Sequence, residues 1–274
     1  MGKIKYLLLA LTISTGCVWA KAKPKSLEPS VIVYNTAHDR VEYANNIDAV
    51  RPIASVTKIM TAMVALDYNK DLQRTLRLDS RVASHLPKQT YNRWQLFQAM
   101  LVRSDNAAAE TLANDYPGGR AAFIEAMNTQ AREWGMKNTR FEDPTGLSAN
   151  NISTASEIAN MMEAASGYWI IQEVTTRKQI AVEAQFKKHI RTINLKNTNS
   201  PLLFEFDNII VSKTGFTSRA GFCLGLVVDQ RKQRYIIVVL GAQTKQDRKR
   251  TVEKIMYNHV IDNQLPEMEL APNL

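Results

Sequence analysis

The sequence predicts a mixed α/β (α+β) fold in which both ends of the chain build a sheet and the middle forms a mostly helical lobe. Near the start, SVIVYN (30–35) and RVEYAN (40–45) have the pattern of two strands joined by a turn at AHD. Near the end, three nearly continuous apolar runs with short connections predict adjacent antiparallel strands over 209–217, 220–230 and 234–242. We expect a site in the cleft between the sheet and the helical lobe.

The helical lobe is predicted from apolar residues at helical spacing. The first helix carries Ser55 near its N-terminus, shortly after Pro52. FEDPTGLSANN (141–151) is predicted to be a loop, because it is rich in turn residues. The remaining helices are predicted at 94–102, 107–114, 121–134, 154–165 and, after the strands, 246–262.

Residues 1–20 have the pattern of a secretory signal peptide. Lys3 and Lys5 precede an apolar run that ends near Val18. Val18 and Ala20 are small residues at the two positions that a signal peptidase recognises. We expect cleavage after Ala20 and a single mature domain over 21–274. A retained membrane anchor is the alternative, but it needs about 20 apolar residues. A lipoprotein-type cleavage before Cys17 is a weaker alternative.

Cysteine content and charge argue against a disulfide-stabilised fold and against a nucleic-acid-binding protein. Removal of the leader would leave Cys223 as the only cysteine, so a large core must replace internal disulfides. The net charge is +9, with basic residues concentrated at 21–25 and 231–250. An exported chain without a nucleic-acid-binding motif is not expected to bind nucleic acid. An anionic envelope surface or a substrate with carboxylates fits this charge better, and a solvated basic face is the alternative.

Ser55 and Lys58 interrupt the otherwise apolar stretch RPIASVTKIMT (51–61). Residues three apart share a helix face, with Cβ atoms roughly 5–6 Å apart, so the amine can lie beside the hydroxyl. A serine becomes a nucleophile when a base takes its proton, and a lysine with a lowered pKa can be that base. The alternative for this stretch alone is a capping serine followed by an exposed lysine.

Two further short motifs follow in order, Ser104-Asp105-Asn106 and Lys213-Thr214-Gly215. Together with Ser-x-x-Lys they are typical of serine penicillin-binding proteins and class A β-lactamases. Taken singly, the first could be a helix cap and the second an edge strand with a glycine. Ser148-Ala149-Asn150 also fits a looser Ser-x-Asn pattern. We select Ser104, because it follows a packed helix whereas Ser148 is expected in an open loop.

The first two motifs carry the proposed catalytic steps. Ser55 attacks a carbonyl to form an acyl-enzyme, and Lys58 takes and returns the proton. Ser104 relays a proton to the leaving amine. Asn106 orients Lys58 and holds a substrate amide.

The third motif is assigned to substrate binding. Lys213 supplies a cation near the terminal carboxylate of the substrate or near Ser104, and the Thr214 hydroxyl binds the same carboxylate. Gly215 lets the strand backbone lie close to an incoming peptide. The backbone N–H groups of Ser55 and Phe216 form an oxyanion hole, and a peptide pairs with the edge strand.

Nearly the whole mature chain resembles the low-molecular-mass D-alanyl-D-alanine peptidases, and most closely the penicillin-binding protein 7 type D-alanyl-D-alanine endopeptidases. The segments that carry the resemblance are VIVYN, IASVTKIMTAMVALD, SDNAAAETLA, FEDPTGLSANNISTASEIA and VSKTGFTSRAGFCLGLVV. It implies an antiparallel five-stranded sheet flanked by helices and joined to a helical lobe. It also implies a periplasmic enzyme that cuts D-alanyl–meso-diaminopimelate cross-links and is acylated by penicillins.

The resemblance carries the site residues and partners with it. It implies Ser55 as nucleophile, Lys58 as base, Ser104 as second catalytic serine and Lys213 as a substrate-binding residue. The partners are peptidoglycan stem peptides and, as covalent inhibitors, β-lactams. Peripheral contact with a membrane or with other wall enzymes stays open. No cofactor is implied, and the histidines show no metal-ligand spacing such as HExxH, so no metal is expected.

Three alternatives stay open. A D,D-carboxypeptidase of this superfamily would carry an extra C-terminal β-rich domain and a membrane-binding helix, and the sequence given ends at Leu274. A class A β-lactamase needs a glutamate that activates water; Glu142 lies in the right part of the chain, but within EDPTG. We therefore expect slow release of penicillin. A non-catalytic wall- or penicillin-binding module is the third alternative, which the intact Ser-Lys-Ser-Lys set disfavours.

Overall fold

A five-stranded antiparallel sheet organises the protein. The computed structural model describes residues 28–186 and 189–261, so the predicted signal peptide lies outside the described residues. The strands are β1 (Ser30–Asn35), β2 (Arg40–Asn45), β3 (Arg51–Pro52), β4 (Thr75–Arg77), β5 (Thr90–Asn92), β6 (Ile152–Ser153), β7 (Gln179–Phe186), β8 (His189–Lys196), β9 (Ile209–Thr217), β10 (Gly221–Gln230) and β11 (Gln233–Ala242). The main sheet has the order β2-β1-β11-β10-β9, which confirms the predicted fold class.

Eight α-helices accompany the strands in the described residues. They are α1 (Lys58–Tyr68), α2 (Arg93–Val102), α3 (Asn106–Asn114), α4 (Gly119–Glu133), α5 (Ala155–Ala165), α6 (Trp169–Thr175), α7 (Ser200–Glu205) and α8 (Lys245–Ile255). A 3₁₀ turn (Ala54–Thr57) precedes α1, and a π-helical segment (Met256–Ile261) continues α8. No helix of the described part is long and apolar enough to cross a membrane.

The two ends of the chain meet in the sheet. β1 pairs antiparallel with β11, so that Ser30 lies opposite Leu240 and Asn35 opposite Tyr235. One face of the sheet packs against the helical lobe and the other against α8, through two separate clusters of buried side chains. Because both faces are covered, successive residues of these strands can be buried on opposite sides of the sheet, which explains the long apolar runs of β10 and β11 and the apolar start of β9 (residues 209–211).

Helix α1 is the centre of the helical lobe. Its residues from Lys58 to Leu66 are all buried, and it packs against α3, α4 and α5. A helix that is apolar all round must be enclosed by other elements, because it has no face for solvent. The one cation on this helix is therefore held away from water.

The predicted start of the first helix differs in detail from the structure. Ser55 lies in the 3₁₀ turn, and α1 proper begins at Lys58. Ala54, just before the serine, has a φ of +47°, a conformation that is costly for a residue with a side chain. Residues three apart also eclipse each other in a 3₁₀ turn, so Ser55 and Lys58 still share one face.

The hairpin of β7 and β8 has no counterpart among the predicted elements. It pairs Gln179 with Lys196 and packs on α2. Ile180, Val182 and Ala184 are buried, and the residues between them are exposed. That alternation is the signal of a half-buried strand, and it could have revealed this hairpin.

Candidate active site

Lys58 and Ser55 lie side by side at the base of the cleft. Lys58 is fully buried, and its Nζ donates to Ser55 Oγ at 3.1 Å. The same nitrogen donates to Asn106 Oδ1 at 2.8 Å and to the carbonyl oxygen of Thr145 at 2.6 Å. The amine is therefore fixed by three acceptors, one of which is the hydroxyl that it would have to deprotonate.

Burial makes Lys58 a competent base near neutral pH. Desolvation lowers the pKa of Lys58 to about 7, although the carboxylates of Asp143, Asp105 and Glu110 act in the opposite direction. A pKa near the working pH lets a substantial fraction of the amine be neutral while it can still hold a transferred proton. This is the electrostatic condition that a serine nucleophile needs from its base.

Ser104 and Lys213 form a second pair of the same composition. Ser104 lies between α2 and α3 with a φ of +64°, and its Oγ accepts a hydrogen bond from Lys213 Nζ at 3.0 Å. Lys213 is also fully buried and donates to the Thr214 carbonyl at 2.8 Å. Burial, with the nearby cations of Lys58 and Arg248, places the pKa of Lys213 well below its usual range.

In the Ser104-Asp105-Asn106 motif, the middle residue stabilises the fold and the two outer residues belong to the candidate site. Asp105 is the N-cap of α3, accepting from Ala108 N at 2.9 Å, and it also accepts from His85 N. Ser104 and Asn106, on either side, contact Lys213 and Lys58. The capping alternative thus describes the middle residue, while its two neighbours contact the buried lysines.

The Lys213-Thr214-Gly215 strand lies against the turn that carries Ser55. A Cβ on Gly215 would come within 2.9 Å of Ile53 O and of Ser55 N, so any side chain there would push the strand away from Ser55. The glycine is thus required by the packing of β9 on the 3₁₀ turn, in addition to the predicted close approach of a peptide. β9 is the end strand of the described sheet, which leaves one of its edges unpaired.

Thr214 and Phe216 reach different surroundings. Thr214 is buried, and its hydroxyl donates to Thr198 Oγ1 at 2.6 Å, so a carboxylate at Thr214 would have to compete with Thr198. Phe216 is 56 % exposed and stacks on Phe222 with a centroid separation of 4.2 Å.

The loop after α4 contributes a residue that sequence reasoning missed. Asp143 is buried and accepts from the backbone N–H groups of Thr145, Gly146 and Ser148 at 2.6 Å each. Burial would raise the pKa of Asp143, but the hydrogen bonds outweigh it and the pKa is lowered. The ordered loop presents the Thr145 carbonyl to Lys58. Its turn chemistry, Asp-Pro-Thr-Gly, was the available signal.

Gly146 also packs closely against the backbone at Ser55. Its φ is +82°, and a Cβ there would lie 1.9 Å from the carbonyl oxygen of Ala54 and 2.9 Å from Ser55 N. Gly146 and Gly215 therefore both approach the backbone of Ser55. A substituent at either position would displace Ser55.

Ser148 does not contact the buried lysines, and its loop is not open as expected. Its Oγ donates to Glu142 Oε2 at 2.9 Å, and Asn150 donates to the same oxygen. These hydrogen bonds lower the pKa of Glu142. Glu142 borders a different depression, beside α4, and does not line the cleft of Ser55.

Arg248 on α8 is a second residue that the motifs did not reveal. It is buried and lines the cleft. Its Nη1 donates to the Cys223 carbonyl at 3.2 Å, whereas Nε has no partner in the described residues. Burial lowers the pKa of Arg248 to about 10. Cys223 itself is fully buried and lies opposite Gly215 in the sheet.

The cleft has a volume of about 470 Å³, and none of its lining side chains is acidic. The described residues contain no group of three or more His, Cys, Asp or Glu that could hold a metal ion. The lining residues are Ser55, Arg103, Ser104, Lys196, Asn197, Thr198, Ser200, Pro201, Thr214, Gly215, Phe216, Phe222, Lys245 and Arg248.

Curated relatives share most of the chain. A D-alanyl-D-alanine endopeptidase of Escherichia coli is 37% identical over 238 residues, which are 83% of this chain and 76% of that protein. A D-alanyl-D-alanine endopeptidase of Pseudomonas aeruginosa is 35% identical and covers 86% of this chain and 80% of its own.

Solved structures share the fold. A mutant of the Streptomyces K15 DD-transpeptidase superposes with a TM-score of 0.77 at 28% identity, covering 86% of this chain and 98% of that one. Penicillin-binding protein D2 of Listeria monocytogenes in its ampicillin-bound form gives 0.72 at 30% identity, over 83% and 95%. The pattern of the Peptidase_S11 family, described as D-alanyl-D-alanine carboxypeptidase, matches residues 19–244. The chain therefore belongs to the Peptidase_S11 family of serine D-alanyl-D-alanine peptidases.

Proposed function

We propose that this protein is a periplasmic serine D,D-endopeptidase that hydrolyses D-alanyl–meso-diaminopimelate cross-links in peptidoglycan and is acylated by penicillins. The observation that carries the proposal is the buried amine of Lys58, 3.1 Å from Ser55 Oγ and with a pKa of about 7. The endopeptidase relatives and the ampicillin-bound structural neighbour support the choice of substrate and inhibitor.

Acylation begins at Ser55. Its Oγ attacks the D-alanyl carbonyl carbon while its proton passes to Lys58 Nζ, and the carbonyl oxygen becomes an oxyanion that the N–H groups of Ser55 and Phe216 stabilise. The C–N bond then breaks. Ser104, bonded to Lys213, gives its hydroxyl proton to the leaving amine and is reprotonated from Lys58, so that Lys58 is neutral again and the acyl group stays on Ser55 as an ester.

Deacylation reverses the proton traffic. A water molecule attacks the ester carbonyl as Lys58 takes its proton, and the proton returns to Ser55 Oγ when the ester bond breaks. Glu142 is held by Ser148 and Asn150 outside the cleft, so it offers no additional base for water. Release of a penicilloyl group is therefore slow, and the class A β-lactamase alternative is disfavoured.

Substrate recognition uses the remaining predicted residues. The diaminopimelate carboxylate beside the scissile bond lies near Lys213 and Thr214, with Arg248 as a further buried cation. Asn106 orients Lys58 and faces the substrate amide. A stem peptide lies along β9 at Gly215 and pairs with its free edge, which adds main-chain hydrogen bonds to the side-chain contacts.

The location of the enzyme rests on the sequence. A signal peptide over 1–20, cleaved after Ala20, would deliver residues 21–274 to the periplasm as one peptidase domain. The stem peptides of peptidoglycan are found there, and contact with a membrane surface or with other wall enzymes would suit the basic charge. Detection of Lys21 as the N-terminus of the exported protein would test this part of the proposal.

Digestion with mass-spectrometric readout tests the reaction. Protein from Lys21 onward is mixed with cross-linked muropeptide dimers and with monomeric pentapeptides, beside Ser55→Ala and Ser148→Ala variants. We expect the enzyme and Ser148→Ala to convert dimers to monomers and to form a penicillin adduct, and Ser55→Ala to do neither. A penicillin adduct on Ser55→Ala would refute the assignment of the nucleophile.

A D,D-carboxypeptidase is the second candidate, and the description of the matching family favours it. The same digestion separates the two. Loss of only the terminal D-alanine from pentapeptides, with dimers left intact, would replace the endopeptidase assignment. A folded protein that yields neither product would support the third alternative, a non-catalytic wall- or penicillin-binding module.

A further inference from the structure

Three basic side chains surround the mouth of the cleft. Arg103 follows α2, Lys196 ends β8 and Lys245 begins α8, and all three line the same cavity as Ser55. We call these three residues the basic rim. Three separate elements thus bring positive charge to one opening, and none of the cavity's lining side chains is acidic.

The charge of the basic rim is not neutralised by the protein. Among the described residues, none of the three rim side chains has an acidic partner, whereas Lys249, four residues after Lys245, pairs with Glu205 and Glu253. Behind the rim, the buried Arg248 leaves its Nε without an acceptor. A cleft lined by one sign of charge concentrates ligands of the opposite sign.

The basic rim lies on the side where the leaving group departs. Ser104, which delivers the proton to the leaving amine, is the neighbour of Arg103 in sequence. Thr198, two residues after Lys196, is hydrogen-bonded to Thr214 of the carboxylate site. Because Ser104 and Thr214 line the same cavity as the basic rim, a large leaving group in that cavity would come near these cations.

The two candidate leaving groups differ in the number of their carboxylates. Terminal D-alanine has one, beside the reacting amine. Diaminopimelate also has one beside the reacting amine, but from its far end it continues into a stem peptide that carries further free carboxylates, such as its C-terminus. The volume of about 470 Å³ lies in the range of roughly 300–1,000 Å³ that accommodates ligands much larger than one amino acid.

We propose that the basic rim binds the distal carboxylates of the leaving diaminopimelate strand and so selects cross-linked peptides over terminal D-alanine. This inference rests on the proposed endopeptidase function. Arg103, Lys196 and Lys245 are then the residues that distinguish the two substrates, while Lys213, Thr214 and Arg248 bind the carboxylate common to both.

Binding to an inactive protein tests the basic rim directly. Calorimetry in a Ser55→Ala background compares a cross-linked muropeptide dimer with a monomeric pentapeptide. The test variant is Lys196→Glu/Lys245→Glu. The matched control is Lys70→Glu/Lys254→Glu, which makes the same change in net charge at exposed lysines that border other depressions.

We expect the rim variant to bind the dimer at least tenfold more weakly and to lose less affinity for the pentapeptide. The control variant should bind the dimer within about twofold of the parent. Added salt should narrow the gap between parent and rim variant, because exposed charges are screened over about 10 Å at 0.1 M. Lys196→Gln/Lys245→Gln supplies a milder change if the reversed charges impair folding.

Equal losses for dimer and pentapeptide, or equal losses in rim and control variants, would overturn the role of the rim. The cleavage assay reports on the proposed function separately. A protein that binds dimers through the rim but cuts only pentapeptides would refute the endopeptidase and retain the binding site.

Discussion

The two fully buried lysines beside the cleft, Lys58 and Lys213, have neighbours of opposite charge. Lys58, at the start of α1, donates to three acceptors and is near the carboxylates of Asp143, Asp105 and Glu110. Lys213, on β9, donates to two acceptors and is near the cations of Lys58 and Arg248. Burial lowers the pKa of both, but only Lys58 has anionic neighbours that hold its pKa near neutrality.

This difference in surroundings fits the roles proposed for the two lysines, Lys58 as a base and Lys213 as a binding site for a carboxylate. An amine whose pKa is near 7 can accept a proton from Ser55 and give it back. An amine surrounded by cations is instead stabilised in its charged form when a negatively charged ligand binds beside it. A substrate carboxylate near Lys213 would raise the pKa of Lys213, because an opposite charge stabilises the ammonium form. The same residue type is thus given two functions by its neighbours.

Replacement of Lys58 should have the largest effect. Lys58→Met keeps an unbranched side chain of similar length but removes the amine that is the proposed base. Penicillin acylation should therefore slow by roughly 10²–10⁴-fold, the range expected for general acid–base catalysis. Stopped-flow acylation with intact-mass detection measures this. An acylation rate within tenfold of the parent would show that another group deprotonates Ser55.

Replacement of Lys213 should have a smaller and more selective effect. Lys213→Met removes a charged hydrogen-bond donor to the substrate carboxylate, and a hydrogen bond of this kind is worth about 1.5–3 kcal/mol. We therefore expect kcat/KM for carboxylate-bearing peptides to fall by roughly 10- to 100-fold. The comparison substrate is the same peptide with its terminal carboxylate amidated. If both peptides lose activity equally, Lys213 does not bind the carboxylate.

The pH dependence of acylation should follow Lys58. The base is active when neutral, so kcat/KM should rise as the pH increases through about 7 and fall about tenfold per unit well below that value. A rate that is flat between pH 6 and 8 would contradict the proposed base. The ascending limb should be lost in Lys58→Met.

Asp143 should adjust the position of that limb. Its carboxylate raises the pKa of Lys58, so Asp143→Asn should move the ascending limb to lower pH, by less than the shift that burial produces. Glu142→Gln is the matched control, because it removes the neighbouring carboxylate outside the cleft. We expect no shift and no change in penicilloyl release for Glu142→Gln; a shift of equal size would mean that the effect is not local.

Much of the fold follows from sequence pattern, and its exceptions are instructive. We could predict β9, β10 and β11 and a sheet built from both ends of the chain. Strands that are buried on both faces contain runs of consecutive apolar residues, which are easy to recognise in the sequence. The 3₁₀ turn at Ser55 was not, since it depends on Gly146 and Gly215 packing against the backbone of Ala54 and Ser55. Contacts between residues so far apart in the chain leave no local pattern.

The site was predictable where side chains act and less so where the backbone acts. The motifs identified Ser55, Lys58, Ser104, Asn106 and Lys213, and the structure joins them by hydrogen bonds into two groups, Ser55–Lys58–Asn106 and Ser104–Lys213. The Thr145 carbonyl could not be identified, because every residue has one. Arg248 was hidden within a basic, amphipathic helix whose other cations face solvent or pair with acids.

The buried thiol of Cys223 gives the molecule an internal reporter of opening. Burial raises the pKa of this thiol to about 11, and its strand lies directly beside Gly215. The Cys223 side chain is buried between the sheet and the helical lobe, and thiol reagents react with exposed thiolates, so labelling requires this packing to open near Ser55. With the predicted leader and its Cys17 removed, one label per molecule would time that opening, and slower labelling after penicillin treatment would show that acylation stabilises the packing of the sheet on the helical lobe.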